Sequence, residues 1–195
     1  MIGANGVIGA VVDRLNDALP AKVAAVREAR DLSAYDLPDP ADAIPYLPEI
    51  ASLGDFPAVL VSYQDIEQED VTLTTPEPGA LSETFVFVYQ VEVYVICRST
   101  SYEQTEEQVQ IMESAVREVV LQRKDISPAG LLDGESVVIN PVKVGSNPSD
   151  VIPDNSSRFV GAVVVNFPVK AEEAVASPFA SPGNAEELDV HPALQ

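Results

Sequence analysis

Residues 84–97 read Thr-Phe-Val-Phe-Val-Tyr-Gln-Val-Glu-Val-Tyr-Val-Ile-Cys. β-Branched and aromatic residues at this density favour an extended strand. Side chains alternate along a strand, so Phe85, Phe87, Tyr89, Val91, Val93, Val95 and Cys97 point one way. Val86, Val88, Gln90, Glu92, Tyr94 and Ile96 point the other. A strand that is apolar on both faces needs cover on both faces. One face can take the chain's own helices. The other mixes apolar groups with Gln90, Glu92 and Tyr94, which suits a subunit interface or a wet lumen.

A chain of 195 residues with 46% hydrophobic residues can build one ordinary core. The formal charge of −20 argues against a basic nucleic-acid surface. It fits either plain solubility or a wall past which a polyanion slides without adhering. The single cysteine, Cys97, excludes an intramolecular disulfide and reads as an inert core residue. No apolar run reaches the ~20 residues that span a bilayer, so no membrane association is expected. Met-Ile-Gly-Ala-Asn-Gly lacks a basic leader region, and a cytosolic protein is the expectation.

Ile8, Val11, Val12, Leu15 and Leu19 recur at helical spacing before Pro20. Residues 7–19 and 21–30 are expected as one kinked helix or two short ones. Pro38, Pro40, Pro45 and Pro48, with Asp31, Asp36, Asp39 and Asp42 among them, then punctuate residues 31–56. The segment also carries Tyr35, Leu37, Ile44 and Tyr46, and so reads as an arm packed on its own domain or on a neighbour. Residues 57–63 form a short strand. Residues 64–83, with six acids and no base, read as a solvated loop in a long hairpin.

After the long strand, Ser101 with Gln104, or Thr100 with Glu103, has the spacing of a helix capping box. Val109, Met112, Val116, Val119 and Val120 mark one face of an amphipathic helix over 102–124. Ser136–Val144 reads as an edge or bulged strand because Pro141 lies inside it. Residues 145–157 have turn chemistry, and Arg158–Lys170 form a second long strand. The order predicts an α+β domain over 1–170. It has a mostly antiparallel four-stranded sheet, with an N-terminal helix and a central amphipathic helix packed on one face, and long loops. Residues 171–195, with five acids and no Lys or Arg, read as a disordered acidic tail.

Groups for chemistry are scarce. The one histidine, His191, lies in the expected tail. No phosphate-binding glycine loop, nucleophile elbow or HExxH sequence is present. Asp65, Glu67 and Glu69 project together if the strand continues, but they lack the spacing and glycine of a calcium loop. Asp150 and Asp154, beside Asn147 and Asn155, read as turn residues. No metal, no cofactor and no catalytic residue is expected. Tyr89 and Tyr94 suit a core or an interface better than a ligand pocket. Arg98 and Arg158 are candidates for ion pairs between subunits of so acidic a chain.

The succession of Val7–Leu19, Phe56-Pro57-Ala-Val-Leu-Val, Thr84–Arg98 running into Ser-Thr-Ser-Tyr-Glu-Gln-Thr-Glu, the helix to Lys124 and the strand Phe159–Lys170 resembles the tail terminator proteins of long-tailed bacteriophages. The resemblance lies in element order over residues 1–170 and has no signature residue. It implies a structural virion protein, not an enzyme. Such a protein forms a homo-oligomeric ring of six that caps the tail tube, ends its polymerisation and joins the tail to the head–neck complex. The partners implied are the tail tube protein and a neck or head-completion protein, with DNA passing through the lumen unbound. The place implied is the tail and neck of the virion, assembled in host cytoplasm. Expected contact residues are Tyr89, Glu92, Tyr94, Arg98 and Arg158 near the sheet, and Asp65, Glu67 and Glu69 in the 64–83 loop. The arm 31–56 is expected to clasp a neighbour. The competing expectations are another neck, head-completion or tail tube ring protein, and a monomeric ligand-binding or chaperone-like α+β module.

Overall fold

The computed structural model describes residues 2–49, 52–77, 80–132, 134–154 and 156–176, without the side chains of 70–83 and 175–176. Two helices and six strands follow in the order α1 (Gly3–Arg30), β1 (Ala58–Glu77), β2 (Ala80–Ser99), α2 (Tyr102–Gln122), β3 (Ser136–Ile139), β4 (Gly145–Pro148), β5 (Ile152–Pro153) and β6 (Phe159–Ala176). The fold is α+β, as expected. All strand pairs are antiparallel, in the order β1-β2-β6-β3, and β4 and β5 also pair with β6. The sheet therefore has six strands rather than four. The two extra strands, β4 and β5, fall in the 145–157 segment expected to be turns.

Valines set the register. Val93 lies between Val61 and Val165, and Val95 lies between Val59 and Val163. These residues share one face of the sheet and are buried beneath both helices. From α1 come Val7, Val11, Leu15, Leu19 and Val23; from α2 come Val109, Met112, Val116 and Val119. Each fully buried aliphatic side chain contributes roughly 1.5–3 kcal/mol, so this face is the main store of stability. Gly161 sits opposite Cys97 in the ladder. A Cβ there would lie 3.1 Å from Val109 and 2.9 Å from Val151. Glycine is what lets α2 and residue 151 approach β6 so closely.

α1 is one continuous helix through Pro20, not two. Pro20 is exposed, so the carbonyl it frees can be hydrated, while Leu15, Leu19 and Val23 hold the axis on the sheet. The helix ends in a Schellman arrangement. Asp31 is left-handed (φ 53°), its N–H donates to the Glu28 carbonyl, and the Leu32 N–H donates to the Arg27 carbonyl. α2 starts as the capping pattern implies. Ser101 Oγ accepts from the Gln104 amide at 3.1 Å. The helix stops at Gln122, two residues short of the expected boundary.

Three expectations need correction. Residues 64–77 are strand, not loop, and β2 begins at Ala80. Bulges between Tyr63 and Asp65 and between Gln68 and Asp70 break the alternation. The acids therefore read as loop composition although they lie on an exposed strand. The strand expected over Ser136–Val144 ends at Ile139 as β3, where Asn140 Oδ1 accepts the Val142 amide and starts a 3₁₀ turn at Pro141. Residues 171–176, assigned to the tail, continue β6. The rest of the expected tail, with His191, lies outside the described residues.

The reason β6 continues is visible at Glu173. Its side chain is 1% exposed, and its Oε1 accepts from the Gly3 amide at 2.9 Å and from the Tyr89 hydroxyl at 3.0 Å. α1 has no side-chain cap of its own and no acid in its first turn. Glu173 supplies both across the core, where a negative charge is favourable to the helix dipole. Glu173→Ala should lower stability by about 1–3 kcal/mol in urea unfolding, because it leaves buried donors unpaired. Glu173→Gln, which keeps an acceptor, should lose less. Equal loss in both variants would show that the carboxylate charge, not the hydrogen bonds, is what matters.

Candidate functional site

The face of the sheet away from the helices has its own cover at one end. Ala58, Leu60 and Ile96 form a small second cluster with Ile44, Leu53, Phe56 and Tyr94. The arm reaches this place by a series of fastenings. The Tyr35 carbonyl accepts from Gln104 Nε2 at 2.9 Å, and the Asp36 carbonyl accepts from Gln108 Nε2 at 2.8 Å. Arg27 donates to the Leu37 carbonyl and pairs with Asp39 at 2.8 Å. Asn16 Oδ1 accepts the Ala43 amide at 2.7 Å. Ile44 then bridges to the edge of β1, accepting from Val61 and donating to Val59. Residues 33–44 are thus engaged with their own domain. An open cleft of about 660 Å³ remains between the arm and β1, lined by Asp42, Tyr46, Leu53, Asp55 and Phe56.

The contact residues expected from sequence separate into groups. Tyr89 is buried on the helix side, and its hydroxyl is used by Glu173. Burial, and then the Glu173 carboxylate, push its phenol above the ordinary tyrosine range. It cannot serve as an exposed contact. Glu92 and Tyr94 lie on the opposite face and bond each other, the Tyr94 hydroxyl donating to Glu92 Oε2 at 2.5 Å. That bond, followed by partial burial and the Glu92 charge, pushes the Tyr94 phenol up to about 12.

Arg98 is used within the subunit. It pairs with Asp154 at 2.6 Å, donates to Ser156 Oγ at 2.6 Å, and stands 5.4 Å from the Phe56 ring centroid. Burial alone would raise the Asp154 carboxyl. Hydrogen bonds from the Ser156 hydroxyl, the Arg158 and Ser156 amides and Arg98 outweigh it and lower the group to about 2. This places Asp154 in a local clamp, as its turn chemistry implied. The Arg158 side chain is exposed and has no partner among the described residues. Asp65, Glu67 and Glu69 are exposed along β1, and no group of three metal-ligating residues forms among the described residues. Burial pushes the Cys97 thiol up to about 12, which leaves it unreactive at neutral pH.

What the structure brings together is a long blade with an open edge. β1, β2 and β6 are 20, 20 and 18 residues long. At ~3.3 Å per residue the first two reach roughly 66 Å, whereas a 28-residue helix at 1.5 Å per residue reaches only about 42 Å. The sheet outruns its helical layer. Beyond Val61, the outer edge of β1 has no backbone partner among the described residues. Tyr63 and Ile66, 42% and 41% exposed, stand beside it. Sequence reasoning missed this edge because bulges and acids hid the strand. The chain matches no protein-family model and has no match among curated proteins.

The two raised phenols carry a pH signature. The Tyr94 phenol is held above its ordinary value of 10.0 in the folded state. Its stabilising contribution is therefore fully present below pH 10.0 and is lost as pH rises toward about 12. In an ultraviolet phenolate titration, two of the six tyrosines, Tyr89 and Tyr94, should ionise above the ordinary tyrosine value. Tyr94→Phe should leave one. Six tyrosines ionising together would contradict the Glu92–Tyr94 and Tyr89–Glu173 bonds.

Proposed function

We propose that the chain is a structural virion protein of the tail-terminator kind. It forms a ring that caps the phage tail tube, ends tube polymerisation and joins the tail to the head–neck complex, with the tube protein and a neck protein as partners. Its place is the tail and neck of the virion, and it assembles in host cytoplasm. The observation that carries this reading is the open edge of β1, where backbone groups beyond Val61 lack partners among the described residues, beside exposed Tyr63 and Ile66. Long unpaired edges are hazards in a free monomer and are usually paired or blocked. Pairing each open edge with a different patch on the next copy is a heterologous contact, and heterologous contacts form a ring where the rotation between copies closes. The charge of −20 supports a lumen along which DNA moves without adhering.

The sheet face named by Glu92 is not the place to test assembly, since Glu92 is 9% exposed and bonded to Tyr94. Tyr63→Lys with Ile66→Lys is the better probe, because both side chains are already exposed. Light scattering coupled to size exclusion, with negative-stain imaging of the same peak, should find a closed ring of about six copies for the native chain. The double variant should run as a folded monomer with an unchanged circular dichroism spectrum. Long tubes would make the chain a tube subunit. A native monomer that stays monomeric in the presence of tube protein would overturn the ring reading and favour a ligand-binding module using the cleft beneath the arm.

A further inference from the structure

On the sheet face away from the helices, β1, β2, β6 and β3 cross a groove of about 610 Å³. The ladder aligns Glu67, Val88, Lys170 and Val138 across it. Val88, Val138 and Pro168 give its floor apolar surface beside Gln90 and Lys170. One wall carries Lys124 and Lys143 above Lys170, and the other carries Glu67 and Glu69. Three of the four lysines in the chain therefore meet at one place. Lys170 has only long contacts, 4.0 Å to Glu69 and 3.9 Å to Glu172. Lys124 and Lys143 have no acidic partner among the described residues. In a chain with 31 acids and 11 bases, unpaired lysines beside a partly apolar floor are unexpected.

We propose that this groove receives the chain's own acidic segment around Glu186, Glu187 and Asp189, folded back within the same molecule. The segment has the matching chemistry. Glu186-Glu187-Leu188-Asp189-Val190 has no base. In extended form it puts Leu188 and Val190 on one side and Glu187 and Asp189 on the other. The apolar side suits the floor and the acids suit the lysine wall.

The reach is sufficient. Ala176 ends β6 six residues beyond Lys170, roughly 20 Å away at ~3.3 Å per residue. Glu186 is ten residues further on, a span of up to about 33–36 Å. Ser181-Pro182-Gly183-Asn184 between them carries the Pro-Gly pair that suits the two central positions of a reversing turn. The acidic wall at Glu67 and Glu69 repels a long polyanion laid across the groove, but it leaves room for a short acidic motif on the lysine side. This fold-back requires no ring.

Zero-length carbodiimide cross-linking of the full chain, read by mass spectrometry, tests it, because the reagent joins only a lysine and a carboxylate already in contact. The ion pair Lys22–Glu118 is the internal control. The expected result is a link from Lys124 or Lys143 to Glu186, Glu187 or Asp189. In an equal mixture of ¹⁵N-labelled and unlabelled protein these links should be isotopically unmixed. Glu186→Gln, Glu187→Gln and Asp189→Asn together should reduce them at least tenfold and leave the control link unchanged. A control link without any link to 186–189 overturns the proposal. Isotopically mixed links overturn it as well, by assigning the groove to a neighbouring copy's segment.

Discussion

The structure depends on the burial of one face of a three-strand antiparallel ladder beneath two helices. Val93 makes the constraint plain: it is flanked by Val61 and Val165 and sits under α1 and α2 with no exposure. A one-residue slip of β2 would turn that face over and bring Glu92 and Tyr94 into the core. Helix placement follows from the same ladder. Gly161 opens the space that α2 occupies, and Glu173 at the far end holds the start of α1. The helices and the register are therefore mutually dependent, and the exposure of Val7, Val11, Val109 and Met112, 4% or less in each, rests on both.

Much of this was legible in the sequence where a period ran unbroken. The alternation of residues 84–97 and the helical spacing of Val109, Met112, Val116 and Val120 gave two central elements and their buried faces. Legibility failed where a local irregularity interrupted the period. The bulge after Tyr63 exchanges faces, so Ile66 pairs with Tyr89 on the helix side while Asp65 and Glu67 lie opposite Gln90 and Val88. A run that folds as strand therefore looks like a polar loop. Glu173 was hidden for another reason. In sequence it is one acid in a base-free stretch, and only the arrival of α1 above it gives the carboxylate two donors.

The candidate contact residues divide along the same line. Residue type identified Tyr89, Tyr94, Glu92 and Arg98 as groups that need partners, and each has one within the subunit. Sequence could not distinguish an internal partner from one on a neighbouring copy, because that depends on distances set by the fold. The lysine groove shows the converse. Lys124, Lys143 and Lys170 are spread over 47 positions, and no motif joins them. Pairing of β3 with β6, the bond from the Ile139 amide to the Lys124 carbonyl and the 3₁₀ turn after β3 bring them together.

Charge then explains why the sheet's length is tolerable. An exposed edge strand risks pairing with any other edge, and closely spaced acids discourage that. Asp65, Glu67 and Glu69 run along the open part of β1 with Tyr63 and Ile66 between or beside them. Acids of like sign repel an identical strand aligned against it, while the apolar pair rewards a different surface that offers bases or neutral donors. The exposed Arg158 side chain, just before β6, is a cation of that kind. An edge that rejects its own image but accepts a different patch favours heterologous over isologous contact, and heterologous contact is the geometry from which a ring is built.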